Sequence, residues 1–277
     1  MVESHYETLQ RETKVNESDT MGRRPSRQER LENILQQLQE TGYVSVADLG
    51  ETFGVSAVTV RSDLDMLEGQ GRLLRTHGGA VPIHFGEGAL SFSVRQREQV
   101  HAKMEIGRAA AALVNDGEAI VLDASTTAWH IARALLSRRD LTVVTTGLYV
   151  ALELLRAPAI TVLMPGGRVW REAASIVGLT DTRVLDAGNL QRGFFGGRGL
   201  TLAEGLTDAN AEEVELKRQL ASAVREVNAI VDGSKLGKVA FATCAPAERI
   251  DRVITDKSAP KEIVSELRSH GIKVIIA

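Results

Sequence analysis

Apolar positions recur at helical spacing in the first third of the chain and at strand spacing beyond it. Leu31, Ile34, Leu35 and Leu38 predict an amphipathic helix over Arg27–Glu40, stopped by Thr41-Gly42. Tyr43-Val44 reads as a short strand. Ser45 is placed to cap a helix over Val46–Phe53, with Asp48 three residues on. Gly54-Val55 turns the chain, and Ser56 caps a further helix over Ala57–Glu68 with Val60, Leu64 and Leu67 inward. Gly69 to Gly71 ends it. Leu73–Arg75 then reads as a strand running into a Gly78-Gly79 corner. That order is what a DNA-reading winged helix-turn-helix needs.

Pro82 to Gly88 reads as a linker, and Phe92 to about Val114 as mostly helical. The pattern then alternates. Strands are predicted at Ala119–Leu122, Thr142–Thr145, Thr161–Leu163, Ala229–Val231, Arg252–Thr255 and Lys273–Ile276. Helices between them are predicted at Thr126–Leu136, Leu148–Leu155, Glu212–Val227 and Lys261–His270. Val/Ile-rich strands alternating with helices imply a mostly parallel sheet covered on both faces. The expected fold class is α/β with an N-terminal winged helix-turn-helix. The expected organisation is a disordered tail over 1–22, a DNA-binding domain over 23–81, a connecting segment over 82–100 and a sensor domain over 101–277.

A length of 277 residues with 43% hydrophobic content fits two globular domains. No apolar run approaches the roughly 18 residues of a membrane span. Residues 1–20 are polar and acidic, unlike a secretory signal. The single cysteine, Cys244, rules out an intrachain disulfide and fits a cytoplasmic protein. None of the six histidines has ligand spacing with a second His or Cys, so no metal and no cofactor is expected. Net charge is −3, and residues 21–85 hold seven Arg against eight acids. DNA affinity must therefore come from placed groups: Arg23, Arg24, Arg27 and Arg30 in one cluster, Arg61, Arg72 and Arg75 in another.

A helix entering the major groove needs short or hydrogen-bonding residues at its start. Ser56, Thr59, Arg61 and Ser62 meet that need, and Arg75, Thr76, His77 and Gly78 form the wing. The glycines after His77 allow a tight wing and let backbone N–H groups approach phosphate. Asp63 would repel phosphate, so it is expected to face inward or to pair with an arginine. The bland alternative is a three-helix protein-interaction module with ordinary caps.

The segment resembles the N-terminal domain of the DeoR family of bacterial transcription regulators. The family pattern runs from a V-S-x-x-T-[IV]-R-R-D-L core to L-x-R-x-H-G-G-A. This chain supplies Val55, Ser56, Thr59, Val60, Arg61, Asp63 and Leu64, then Leu73, Arg75, His77, Gly78, Gly79 and Ala80. Ser62 stands where the family usually has a second Arg.

In the second half, Ala119–Thr127 joins a strand directly to a small polar loop and a helix. Helix N–H groups with the Ser125, Thr126 and Thr127 hydroxyls make an anion site, and Asp123 suits sugar hydroxyls. Later strand ends carry Thr146-Gly147, Gly166-Gly167-Arg168, Gly196-Gly197-Arg198 and Ser234-Lys235. In an open parallel sheet these ends share one edge, where ligands bind. Arg168, Arg198 and Lys235 are candidate phosphate partners. Each loop alone is more often a structural turn or cap than a ligand site, and only the joint pattern favours a phosphate-bearing ligand. The resemblance implies a C-terminal domain similar to ribose-5-phosphate isomerase and coenzyme A transferase folds, sensing phosphorylated sugars or related metabolites. Its marks here are Asp123–Thr127, Gly166-Gly167, Phe195–Gly199, Asp232–Lys235 and Ile254–Asp256. Ser125 replaces the usual Gly, and Thr146 a frequent Asn.

The function expected is a DNA-binding regulator, a repressor of carbohydrate genes, acting as a dimer or tetramer on operator DNA under control of a phosphorylated sugar. The competing reading is a sugar-phosphate isomerase with an appended domain, using Glu204, Asp208, Asp232 or Lys235 as acid or base. No paired-carboxylate or nucleophile–base spacing demands it.

Overall fold

Ser26 opens the first helix by accepting a hydrogen bond from the Glu29 N–H, while the Glu29 carboxylate accepts one from the Ser26 N–H, a reciprocal capping box. The computed structural model describes residues 24–70, 72–76, 78–82, 92–171, 173–178, 183–186 and 188–277. The tail expected over 1–22, Arg23, His77 and most of the linker lie outside them. The chain divides into two compact units, Met1–His84 and Phe85–Ala277.

In the first unit, α1 (Arg27–Thr41) is followed by β1 (Val44–Ser45), α2 (Val46–Phe53) and α3 (Ala57–Gly69). Ser45 and Ser56 cap α2 and α3 by accepting from the N–H groups of Asp48 and Thr59. β2 (Leu73–Thr76) and β3 (Gly79–Pro82) form the wing hairpin, and β1 pairs with the outer side of β3. β3 falls where the sequence signals a corner and then a linker. It has only four residues, ends in proline, and is defined by its partners rather than by its own pattern. Gly79 is fixed by close approach: a Cβ there would lie 1.9 Å from the Val44 carbonyl oxygen. Leu31, Ile34, Leu38, Leu49, Phe53, Val60, Leu64 and Leu67 fill the core between the helices. Each fully buried side chain of this kind stabilises the unit by ~1.5–3 kcal/mol.

The second unit begins with α4 (Phe92–Arg97) and α5 (Val100–Ala111). The helical stretch expected over Phe92–Val114 thus breaks, with Gln99 in the left-handed region at φ 49°. Buried Lys103 fastens the break, its Nζ donating to the carbonyls of Arg95 and Glu98 at the end of α4. Phe92 stacks on Tyr149 with ring centroids 4.4 Å apart. Part of the expected connecting segment is therefore built into this unit.

The elements that follow are β4 (Ala119–Leu122), α6 (Thr126–Ala134), β5 (Leu141–Thr145), α7 (Leu148–Leu154) and β6 (Ile160–Leu163). A hairpin of β7 (Arg168–Trp170) and β8 (Ser175–Val177) leads to a short α8 (Arg183–Asp186) and β9 (Arg192–Phe195). Then come β10 (Gly199–Thr201), β11 (Gly205–Asp208), α9 (Ala211–Ala223), β12 (Glu226–Ile230) and β13 (Ala242–Ala245). β14 (Arg252–Thr255), α10 (Lys261–Ser269) and β15 (Lys273–Ile276) end the chain. The main sheet has the order β15-β14-β12-β9-β4-β5-β6, with every pair parallel. β10, β11 and β13 form a small antiparallel sheet.

Alternation along the strands divides the core. Ile120, Leu122, Phe194, Ile230 and Ile254 pack with Ile106 of α5 and Ile131 of α6. Val121, Phe195, Val227, Ala229 and Val253 face the other way, onto Leu216 and Leu220 of α9. Helix α9 stops at Ala223, short of the expected Val227. Val224 turns extended, and Glu226 donates its N–H to Gln191, starting β12 against β9.

Candidate functional site

In the first unit the exposed face of α3 carries Ala57, Val58, Arg61 and Ser62. The Arg61 side chain has no hydrogen bond or ion pair among the described residues. Ser56 and Thr59 are bound to each other, their hydroxyl oxygens 3.0 Å apart. Asp63 is buried and paired twice, with Arg30 Nε at 2.7 Å and Arg27 Nε at 3.1 Å. Two arginines of the N-terminal cluster are thereby tied to α3. Arg27 also donates from Nη2 to the Ser62 hydroxyl at 3.3 Å. A guanidinium thus stands beside Ser62 although position 62 itself carries no charge.

Arg75, the wing residue expected to face phosphate, is engaged within the first unit. Its Nη1 donates to the Arg61 carbonyl at 2.9 Å and meets Asp65 at 2.5 Å. It braces β2 against α3. Thr76 is half-buried at the end of β2, Gly78 is exposed, and His77 lies outside the described residues.

In the second unit the parallel sheet brings the carboxyl ends of β4, β5, β9 and β12 to one edge. Asp123, fully buried, accepts hydrogen bonds from the N–H of Ser125 at 3.0 Å and of Gly196 at 2.8 Å. Its carboxylate stitches the β4 loop to the β9 loop. Gly196 approaches so closely that a Cβ would lie 2.6 Å from Ser125 Cβ. Ser125 caps α6 by accepting from the Ala128 N–H, and Thr126 and Thr127 are buried at the same helix start. Thr146 and Gly147 are buried at the end of β5, and the Thr146 hydroxyl has no partner among the described residues. The Ser175 hydroxyl is likewise buried and unpartnered, on the strand that bridges to Gly147. Lys235 lies on a 3-10 turn capped by Asp232.

Lys217 of α9 completes the arrangement. Its Nζ donates to Asp208 at 2.6 Å and to the Gly196 carbonyl at 2.8 Å, and lies 3.3 Å from Asp123. Burial alone would lower its pKa, but Asp208 and Asp123 outweigh it and raise the ammonium well above the usual lysine value. Burial alone would raise Asp208, but the Lys217 charge and hydrogen bond hold it below the usual carboxylate range. Burial pushes the nearby Glu213 carboxyl up. Arg198 lies 3.9 Å from Asp208, and burial, then the Arg95 guanidinium, lowers its pKa. Asp208, Glu213 and Lys217 thus belong to the same buried cluster as Asp123, although the sequence reading gives none of them a binding role and names Asp208 only as a candidate acid or base. The signal available was their spacing, which puts Glu213 and Lys217 one turn apart on α9. Arg168, by contrast, is exposed and makes a two-pronged ion pair with Glu212 at 2.8 and 2.7 Å. Gly167 packs against β8, where a Cβ would lie 2.5 Å from Ile176.

Residues 30–84 match the DeoR-like helix-turn-helix domain, and residues 98–257 match the DeoR C terminal sensor domain. The chain is 35% identical over 249 residues to the HTH-type transcriptional regulator GolR of Listeria innocua, covering 90% of this chain and 98% of that protein. It is 30% identical to the glycerol-3-phosphate regulon repressor of Escherichia coli, covering 89% and 97%. Ribose 5-phosphate isomerase A of Neisseria gonorrhoeae aligns with 17% identity and a TM-score of 0.37, covering 48% of this chain and 52% of that one. Relatives matched along nine-tenths of the chain are regulators, which decides against the isomerase reading. With both domain types matched in order, the chain belongs to the DeoR family of transcriptional regulators.

Proposed function

We propose that this chain is a repressor of carbohydrate genes whose operator binding is modulated by a phosphorylated sugar or a related metabolite. The DNA-binding part is the 23–81 region, with Ser56, Thr59, Arg61, Ser62 and the wing residues Thr76, His77 and Gly78 at the duplex. Arg75 acts by holding the wing to α3. Arg27 supplies beside Ser62 the charge that position 62 lacks. The sensing part is the 101–277 region. The observation that carries this reading is the convergence of the β4, β5 and β9 loops at one sheet edge around Asp123, Lys217 and Asp208.

The two ends of that edge differ chemically. The start of α6, with Ser125, Thr126 and Thr127, offers N–H and hydroxyl donors to a phosphate. The Asp208, Glu213 and Arg198 side offers acceptors and a donor to sugar hydroxyls. The matched relative named for glycerol 3-phosphate supports a small phosphorylated ligand. A homodimer or tetramer would set two winged helices on half-sites about one DNA turn apart.

Fluorescence anisotropy with promoter DNA, titrated with sugar phosphates and with the same sugars unphosphorylated, tests the reading. Arg61→Ala is expected to weaken binding and to lower the slope of log affinity against log salt by about 1. Failure of the wild type to bind at low salt, or a response to free sugars equal to that for their phosphates, would overturn it.

A further inference from the structure

Val58 is 73% exposed, the second residue of α3. Among the described residues nothing in the fold asks for it there. The core of the first unit takes Val60, Leu64 and Leu67 from this helix, and Val58 lies on the opposite side. A β-branched residue also lowers helix propensity relative to alanine at an exposed position. A single exposed apolar residue is ordinary on most surfaces. This one shares a face with Arg61 and Ser62, three and four residues on, at the end of the helix that meets base edges in helix-turn-helix proteins.

The chemistry of that position is narrow. In the major groove the only apolar group on a base edge is the C5-methyl of thymine. A valine in a helix is held almost entirely in one rotamer, so its two methyl groups project in a fixed direction. Arg61 beside it supplies charge for a phosphate or the O6/N7 edge of guanine, and Ser62 supplies a hydroxyl already held by Arg27. Neither can sense a methyl group.

We infer that Val58 is a specificity-determining residue that reads a thymine methyl group in the operator, next to the base or phosphate met by Arg61. The inference rests on the proposed seating of α3 in the major groove.

The test uses the full-length chain and a duplex that it selects from a randomised pool. Each thymine is replaced in turn by deoxyuridine, which removes one methyl and leaves every hydrogen-bonding group in place. One thymine per half-site is expected to cost the wild type roughly 4-fold in affinity when its methyl is removed. Val58→Ala is expected to weaken binding to the unmodified duplex by a similar factor and to abolish the penalty at that thymine alone. Val58→Thr, which keeps one methyl on a branched side chain, should retain part of it. Because Val58 is exposed, neither variant should alter folding, and unchanged melting checks this. Identical deoxyuridine penalties in the wild type and Val58→Ala at every thymine would overturn the assignment. If Arg61→Ala weakens binding while Val58 shows no such coupling, Val58 alone is misassigned. If neither variant changes affinity, the seating of α3 in the groove falls as well.

Discussion

Lys217 Nζ stands 2.6 Å from Asp208 Oδ2 and 3.3 Å from Asp123 Oδ2, all three groups buried. One cation therefore bridges two carboxylates, Asp123 just after β4 and Asp208 at the end of β11. Lys217→Met keeps the bulk and strands both charges. Removing one partner of a buried pair costs ~3–5 kcal/mol, so urea unfolding at pH 7 should show a loss of that order. Asp208 is held below its ordinary value of 3.8, so its contribution is present above that pH and fades as pH falls through the folded value. The gap between wild type and variant should narrow under acid conditions. A loss under about 1 kcal/mol at pH 7 would mean that water reaches these carboxylates.

Asp63 holds α1 to α3 through Arg30 and Arg27. Asp63→Asn preserves shape but leaves the largely buried Arg30 without a counter-ion. A loss of ~2–4 kcal/mol is expected, read as a lower urea midpoint. Arg27→Ala should cost much less, since its side chain is 48% exposed. It should instead weaken DNA binding through the charge lost beside Ser62. Equal stability losses for the two variants would contradict this division.

These networks mark the limit of what the pattern of residues discloses. The three helices of the first unit and six strands of the main sheet are legible because apolar spacing and serine caps act locally. β9 was not legible: its four residues, Arg192, Gly193, Phe194 and Phe195, lack the Val/Ile run of its neighbours, yet it lies between β4 and β12. Arg192 is accommodated there by ion pairing with Glu118 at 2.9 Å, a partner 74 residues away. The inward placement of Asp63 follows from electrostatics, since a carboxylate disfavours phosphate. The bracing role of Arg75 does not, because a basic wing residue serves DNA or a neighbouring carboxylate equally well. Lys217 escaped for a similar reason: a Lys on an acidic helix reads as a solvated charge until the fold turns it inward, where it meets Asp208, legible only as a candidate acid or base.

Gly196 offers a separation of sensing from DNA binding. Any Cβ at this position would lie 2.6 Å from Ser125 Cβ and 2.7 Å from its hydroxyl oxygen. Gly196→Ala should push the β9 loop from the β4 loop and disturb the bond from its N–H to Asp123. Loss of ~1–3 kcal/mol of stability is expected from overpacking. The thermal shift given by sugar phosphates should disappear, while affinity for operator DNA stays within about 3-fold of wild type. An undiminished ligand shift would remove these loops from the effector site.

His130, one turn into α6, is buried, and its Nε2 has no hydrogen-bond partner among the described residues. Burial, then the charges of Arg133 and Lys103, push its pKa down to about 4 from an ordinary 6.5. Between those values the unfolded chain holds a proton that the folded chain does not. Stability from this group is therefore complete above pH 6.5 and is lost as pH falls from 6.5 towards 4. The full gap is worth ~3 kcal/mol. His130→Gln does not titrate, so the wild type should lose about 2 kcal/mol more than this variant between pH 7 and pH 4.5. Comparing urea unfolding of the two proteins at both pH values removes the carboxylate contributions they share. Parallel losses would mean that the imidazole takes up its proton in the folded chain as readily as in the unfolded one, with water or a neighbouring carbonyl reaching Nε2.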